Sequence, residues 1–207
     1  MDPTAWDEIQ AAVRAAPYPA EALAPDTDRA ARCLAALGIT TRSWLGAVVS
    51  HTGGISVDHG WVRVLGSGGH GLPDIVEEAD PERRGLIVAY DVLGGQFAWI
   101  PARPGAPPTI HYFGPDDLEW FDLEQGYAGW LHAVLAGSLI QFYDTLRWDG
   151  WETEVAGTAL DHGIHTYPPP WSVEGKDLAK ASRKAVPMKQ LVAFHHDTAR
   201  QLGSAPS

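Results

Sequence analysis

The sequence has very little cysteine: Cys33 is the single one among 207 residues. One thiol cannot form an internal disulfide bond, and it cannot build a thiolate zinc site alone. Cys33 lies in the segment RAARCLAALG, whose pattern is helical, so we expect it to be a small buried apolar residue. A chain of this length can bury a core that needs neither a disulfide nor a metal.

Basic residues are scarce as well. The 15 Lys and Arg residues are outnumbered by 26 Asp and Glu residues, and the formal net charge is -11 at pH 7. A surface of this charge repels phosphate backbones, which argues against a nucleic-acid partner. It favours a basic protein partner, although acidic charge also serves solubility alone.

Long apolar runs are absent from the sequence. No run approaches the roughly 20 residues that cross a bilayer, which argues against a membrane span. The N-terminal segment MDPTAWDEIQ lacks the basic start and the apolar stretch of a secretory signal. We therefore expect a cytoplasmic protein without a membrane association.

Metal-binding and catalytic motifs are missing too. Nine histidines are present, but no H-E-x-x-H or cysteine-rich motif accompanies them. His162 and His165 would point to opposite faces of a predicted strand, and the neighbours His195 and His196 would diverge on a predicted helix. The sequence therefore predicts no metal and no cofactor.

The glycine-rich run 66–71 has the composition of a phosphate-binding loop. Leu72, Pro73 and Asp74 follow it where a helix would have to begin, and no P-loop lysine is present. A G-x-S-x-G nucleophile elbow is also missing. We interpret the run as a structural turn, and we expect no catalytic residues here.

Aromatic residues, by contrast, concentrate in the stretch 86–151, around which the chain is organised. This stretch contains three apolar runs joined by short connections, LIVAYDV, QFAWI and TIHYF. They predict antiparallel strands with a hairpin turn at Gly94-Gly95. The apolar periodicity from about 125 to 146 then predicts one long helix across the sheet, weakened or kinked at Gly137.

These patterns predict an α+β fold in which helices pack on a small antiparallel sheet. Two short strands are expected on either side of a bend at His59-Gly60. We expect a single domain: residues 1–41 form a helical arm, residues 42–191 form the core, and residues 192–207 form the end of a C-terminal helix and a tail.

Asp58, His59, Trp61 and Arg63 form the first candidate binding cluster. In a strand, Trp61 and Arg63 would face the same side, and an arginine beside an aromatic ring can hold a carboxylate while it stacks. The alternative is a packed tryptophan and an arginine that pairs with Asp58 or another acid.

The second candidate cluster lies at the end of the predicted long helix and consists of Arg147, Trp148, Asp149, Trp151 and Glu152. Its candidate binding residues are Arg147, Trp148 and Trp151. Tryptophan and arginine dominate protein-binding hot spots, so an exposed patch of this composition would be a docking surface. The alternative is that the rings cover the end of the sheet and that Arg147 stabilises the helix C-terminus. Glu119 and Trp120, which follow an acidic turn, complete the candidate binding residues.

Several of these residues resemble an uncharacterised bacterial family, domain of unknown function 2625. The resemblance is collinear from about Arg42 to about Leu191. The residues that carry it are Gly53-Gly54, Asp58-His59-Gly60-Trp61, Leu65-Gly66-Ser67-Gly68, Asp91-Val92, Gly94-Gly95, Tyr112-Phe113, Pro115-Asp116, Leu118-Glu119-Trp120, Phe142-Tyr143, Leu146-Arg147-Trp148, Gly150-Trp151, Tyr167-Pro168, Trp171 and Val186-Pro187.

That family in turn is similar to the SUKH superfamily, which includes Syd-like and cell-wall-synthesis-regulator-like domains. The shared outline is a helix that runs into Gly-Gly, a small antiparallel sheet, a hairpin with a Gly-Gly turn and a long helix. The resemblance implies a SUKH-like fold that acts by binding proteins, in many members as immunity proteins against toxins, and it supplies no catalytic set. The loop PARPGAPP and the chain beyond Leu146 depart from a minimal SUKH domain.

Three hypotheses follow. The favoured one is a non-enzymatic protein-binding module, immunity-like, with a basic partner. The second is a small-molecule-binding protein or an undescribed hydrolase that uses Asp58, His59, Trp61, Arg63 and the glycine-rich run. The third is an oligomerising domain, although the sequence does not predict an oligomeric state.

Overall fold

The computed structural model describes residues 3–80, 85–103 and 105–203, without the side chain of Asp80. The end of the predicted tail, residues 204–207, lies outside the described residues. The helices are α1 (Ala5–Ala15), α2 (Thr27–Leu37), α3 (Trp44–His51), α4 (Tyr127–Leu135), α5 (Leu139–Phe142), α6 (Trp151–Ala156) and α7 (Met188–Gly203). The strands are β1 (Ala20–Leu23), β2 (Gly54–Val57), β3 (Val62–Leu65), β4 (Ala79–Asp80), β5 (Gly85–Asp91), β6 (Gln96–Pro101), β7 (Pro108–Phe113), β8 (Trp120–Asp122), β9 (His162–Tyr167) and β10 (Ser182–Pro187).

The predicted α+β fold class is confirmed. The main sheet is antiparallel and runs in the order β1-β2-β3-β5-β6-β7-β8, with the short strand β4 paired to β5. Strands β9 and β10 form a separate antiparallel pair. None of the helices in the described part of the chain combines the length and the apolar character that a bilayer crossing requires.

Local sequence signals place the first three helices. The Thr4 hydroxyl, the Asp26 carboxylate and the Ser43 hydroxyl each accept a hydrogen bond from the backbone N–H three residues further along. These are the N-cap bonds that satisfy donors left free in a first helical turn. Gly38 ends α2 in the left-handed conformation, with φ +64°, as a C-terminal glycine is expected to do.

The predicted long helix is broken. Helix α4 ends at Leu135, α5 begins at Leu139, and a short 3-10 turn over Asp144–Leu146 follows. Gly137 adopts φ +110°, which a continuous right-handed helix cannot contain. The glycine therefore ends the helix, whereas the sequence predicted only a weakening or a kink.

The two faces of the main sheet carry very different side chains. One row of directly paired residues is apolar or aromatic throughout, and it consists of Ala22, Ile55, Val64, Ala89, Phe97, Tyr112 and Phe121. Phe97 contacts Trp130 of α4, with 5.1 Å between the ring centroids, and Phe142 of α5 at 6.1 Å. Helices α4 and α5 therefore pack on this face.

The opposite face carries a row that is polar over most of its length. Its directly paired residues are Glu21, Ser56, Arg63, Tyr90, Gln96, Phe113 and Trp120. Helix α7 covers the far end of this polar row, because His196 stacks on Phe113 at a centroid distance of 4.5 Å. The chain after α6 lies on this face, where it leaves open clefts.

Candidate functional site

Most of the predicted binding residues come together, but inside the protein. Asp58, Trp61, Trp148 and Trp151 are at most 9% exposed, and Arg147 donates a hydrogen bond to the Asp58 carboxylate. The Trp61 ring contacts Tyr143, Trp148 and Trp151 at centroid distances of 5.4, 5.7 and 5.0 Å. We call this group, Asp58, Trp61, Tyr143, Arg147, Trp148 and Trp151, the aromatic enclosure.

The aromatic enclosure is filled by a cation of the chain itself. The guanidinium carbon of Arg147 lies 4.2 Å from the centre of the Trp151 ring and 5.2 Å from that of Trp61. Burial raises the pKa of Asp58, and the neighbouring Arg147 opposes that shift. The pair joins the turn after β2 to the segment before α6.

Arg63 is separate from the aromatic enclosure and fully buried. Trp61 precedes β3, so the expected alternation with Arg63 along one strand face does not apply. The Arg63 guanidinium donates to the carbonyls of Gly60 and Leu160, each at 3.0 Å, and to that of His162. Burial lowers its pKa to about 10, which leaves it charged at neutral pH. Arg63 therefore fixes the segment 158–162 over the middle of the polar row.

Two predicted residues lie elsewhere. Glu119 is exposed, and Trp120 packs against Phe113 of the neighbouring strand at 5.4 Å. A third predicted residue, His59, contacts the aromatic enclosure from outside: it has φ +60°, and its ring meets the Trp151 ring edge-on at 5.6 Å. The structure therefore does not gather the nine predicted residues into one site, and their role in binding stays a prediction.

The glycine-rich run forms a closed turn. The Ser67 hydroxyl is buried and donates to the Thr52 carbonyl at 2.9 Å. Gly69 and Leu72 exchange backbone hydrogen bonds of 3.0 and 2.9 Å. These bonds stabilise the turn, and Gly71, its last residue, lines a cleft.

A cleft of about 700 Å³ lies between the sheet and the start of α7, and we call it the α7 cleft. Tyr90 and Gln96 of the polar row form its floor. Residues 71–78 form one wall, Leu160 and Asp161 form another, and residues 187–193 form the third. The volume is typical of sites for small molecules.

A chain of polar contacts runs along the floor of the α7 cleft. The Tyr90 hydroxyl donates to the Glu78 carboxylate, and Gln96 Oε1 contacts His196 Nε2 at 2.5 Å. Burial and the Glu78 charge raise the pKa of Tyr90, so its phenol stays protonated. The Lys189 ammonium lies 3.9 Å from the other oxygen of Glu78.

Asp161 brings a second carboxylate to the α7 cleft from the segment that Arg63 fixes. Its Oδ1 lies 2.6 Å from Nδ1 of His162. The hydrogen bond with His162 lowers the pKa of Asp161, so the carboxylate is ionised at neutral pH. Among the described residues, no group of three or more His, Cys, Asp or Glu side chains is placed to hold a metal ion. The α7 cleft can therefore offer hydrogen bonds and negative charge to an organic molecule.

A second cleft, of about 590 Å³, lies on the other side of the segment 158–162. It is lined by Glu21 and Ser56 of the polar row, by His59 and by residues 155–160. We call it the β1 cleft. The two clefts share Leu160 in their common wall, and Arg63 fixes this wall through its hydrogen bond to the Leu160 carbonyl.

Sequence reasoning missed the α7 cleft because its residues come from four distant segments. One local signal was available: Tyr90 and Gln96 are polar-headed residues at corresponding positions on either side of the Gly94-Gly95 hairpin. Direct pairing across a hairpin places such residues on the same face.

The fold and the α7 cleft define an α+β protein whose sheet is covered on one face and partly open on the other. The family model described as "Protein of unknown function DUF2625" matches residues 1–191, and the chain belongs to this family. The match includes the N-terminal helices, beyond the range 42–191 that the sequence motifs indicated.

Two relatives cover most of the chain. The Escherichia coli K12 protein described as "Putative uncharacterized protein YbfG" is 34% identical over 194 residues, which are 91% of this chain and 88% of the relative. A Haemophilus influenzae Rd protein described as "Uncharacterized protein" is 33% identical over 162 residues, which are 73% of this chain and 71% of the relative. No solved structure matches the chain, so the similarity to the SUKH fold stays a prediction.

Proposed function

We propose that this protein binds a small polar molecule in the α7 cleft. The observation that carries the proposal is the convergence of Glu78, Tyr90, Gln96, Asp161 and Lys189 on one concave space. Ligand sites in proteins combine such a volume with a few polar groups that fix orientation. The second sequence hypothesis, small-molecule binding, is thereby retained, but its site moves away from Trp61 and Arg63, which are buried.

The test is a fragment screen on the isotope-labelled protein. Binding is detected as changes in the backbone amide signals of its NMR spectra. We expect binding fragments to shift the signals of Gly71, Lys189 and Ala193, which line the α7 cleft. The signals of Ala156 and Thr158 in the β1 cleft serve as the internal comparison. Shifts confined to the β1 cleft, or no shifts at all, would contradict the proposal.

A protein-binding role is the second candidate, and it rests on a different surface. Tyr167 is 69% exposed and Phe194 is 42% exposed, and Phe194 packs against Trp171 at 5.6 Å. Exposed aromatic residues of this kind are common in protein interfaces. The net charge of -11 favours a basic partner. The immunity-like role and the SUKH-like fold rest on the sequence resemblance alone.

The protein-binding candidate is tested by quantitative pull-down from a bacterial lysate with Tyr167→Ser. Ile140→Ser is the matched control, because Ile140 is an exposed apolar residue at 55% exposure on α5. We expect a specific partner to be lost with the first variant and kept with the second. Equal recovery with both variants would count against the surface. Arg63→Ala and Arg147→Ala are unsuitable for this purpose, because both side chains stabilise the interior.

A further inference from the structure

The walls of the α7 cleft carry an excess of negative charge. Among the described residues, Glu77, Glu78 and Asp161 line it together with one basic residue, Lys189. Glu78 and Asp161 come from different walls, so a ligand between them would meet a carboxylate on two sides. The whole chain, with its formal charge of -11, adds a long-range attraction for cations.

The floor of the α7 cleft holds one of these carboxylates in a fixed position. The Glu78 side chain is 15% exposed and receives the Tyr90 hydroxyl, which is itself buried. Lys189 is 80% exposed, and its ammonium lies 3.9 Å from Glu78, which is too long for a hydrogen bond. An ammonium group already stands near this carboxylate but does not bind it tightly, so a ligand could displace it.

Apart from Gln96, the rest of the lining is apolar and is unsuited to a bare metal ion. Leu72, Pro73, Leu160 and Val192 line the same space, and they match the methylene groups of an organic chain. The described residues also place no three metal-ligating side chains together. Carboxylates at the walls and hydrocarbon between them are complementary to an alkyl chain that carries ammonium groups.

We propose that the α7 cleft binds organic cations with primary ammonium groups, held by Glu78 on one wall and Asp161 on the other. This inference rests on the proposed function, since it names the ligand class of the same cleft. The Glu78 carboxylate, oriented by Tyr90, receives one ammonium group, and Lys189 moves aside into solvent. The alkyl chain lies against the apolar lining, and Asp161 binds the second positive group.

Four probes of equal chain length test the ligand class: 1,4-diaminobutane, 4-aminobutanoate, butane-1,4-diol and butanedioate. Each is titrated into the full chain, and binding is followed by the NMR signals of Gly71, Lys189 and Ala193. We expect the diamine to bind most tightly and butanedioate not to bind. We also expect the affinity for the diamine to fall as the salt concentration rises.

Two pairs of variants separate a contact in the α7 cleft from general electrostatics. Glu78→Gln should weaken diamine binding by about tenfold, whereas Glu124→Gln, the same charge change in the exposed connection after β8, should change it by less than about twofold. Lys189→Met should tighten binding by roughly twofold, because it removes a competing ammonium group, and Lys180→Met should not. Unchanged thermal unfolding of the four variants would show that they are folded.

The outcomes distinguish the two proposals. If butanedioate or the diol shifts the cleft signals and the diamine does not, the cation inference is overturned while the α7 cleft stands as a ligand site. Weaker diamine binding with Lys189→Met would also overturn the cation inference, because it would show that Lys189 supports the bound ligand and does not compete with it. If no probe shifts these signals, both the cation inference and the proposed function are overturned.

Discussion

Arg147 and Asp58 form a buried ion pair that was not predicted from the sequence. Their side chains are 14% and 3% exposed, and two tryptophan rings enclose the guanidinium. Charged and aromatic residues in a sequence suggest a binding site, but they can equally form a buried ion pair that tryptophan rings enclose, as Arg147 and Asp58 do. The difference is burial, which depends on segments far away in the chain.

Arg147→Met should lower the free energy of unfolding by about 3 kcal/mol, because it leaves the Asp58 carboxylate buried without its partner. Urea unfolding at pH 7 measures the change. Lys180→Met, which breaks the exposed pair with Asp177, is the control and should have no measurable effect. The double variant with Asp58→Asn should recover part of the loss. A single variant within about 0.5 kcal/mol of the wild type would show that the pair is not stabilising.

His195 gives the protein a specific sensitivity to acid. It is 2% exposed, and burial lowers its pKa from 6.5 to about 4. The unfolded chain therefore takes up a proton before the folded chain does, so stability falls as the pH drops below about 6.5 and is fully reduced below about 4. At pH 5 this contribution amounts to about 2 kcal/mol.

The comparison of wild type with His195→Gln isolates this contribution. The variant removes the titrating group, so its unfolding free energy should fall less between pH 7.5 and pH 5 than that of the wild type. The two stability curves should approach each other by about 2 kcal/mol over this interval. Curves that stay parallel in urea titrations would contradict the assignment to His195.

Among the elements, the break between α4 and α5 is enforced by Gly137. A Cβ atom at this position would lie 3.0 Å from Cγ of Pro17, and the backbone has φ +110°. Gly137→Ala should therefore cost about 1–2 kcal/mol. Gly129→Ala, inside α4 and with no neighbouring atom within 4 Å of the new Cβ, should stabilise by roughly 0.5–1 kcal/mol. Thermal unfolding of both variants distinguishes an obligatory break from a flexible one.

Elements with local signals were predictable, and elements made by pairing were not. Capping and turn hydrogen bonds span only a few residues, so a short segment is enough to predict them. This applies to the N-caps Asp26 and Ser43 and to the hairpin at Gly94-Gly95. Strands β1 and β10 have the segments AEAL and SRKAVP, which show little strand propensity. They are strands because a partner strand lies beside them.

At the scale of the whole molecule, the candidate site follows the same rule. The floor of the α7 cleft comes from Tyr90 and Gln96, and its carboxylates come from Glu78 and Asp161, more than 80 positions apart in the sequence. A short sequence motif cannot predict a site whose residues lie so far apart in the chain. The alternation within each strand indicates which residues share a sheet face. The strand order that aligns the polar residues into one row follows only from the structure.

The strand order also determines how the molecule should unfold. The same strands hold the apolar row under α4 and the polar row under α7, so neither layer can lose its support alone. Leu131→Ala in α4 and Leu191→Ala in α7 each remove a buried side chain and should each cost about 3 kcal/mol. Far-UV circular dichroism and tryptophan fluorescence should report one shared transition that moves equally for both variants. If Leu191→Ala instead produces an early transition in one signal only, the layer formed by α7 folds independently, and the expectation of a single domain is wrong.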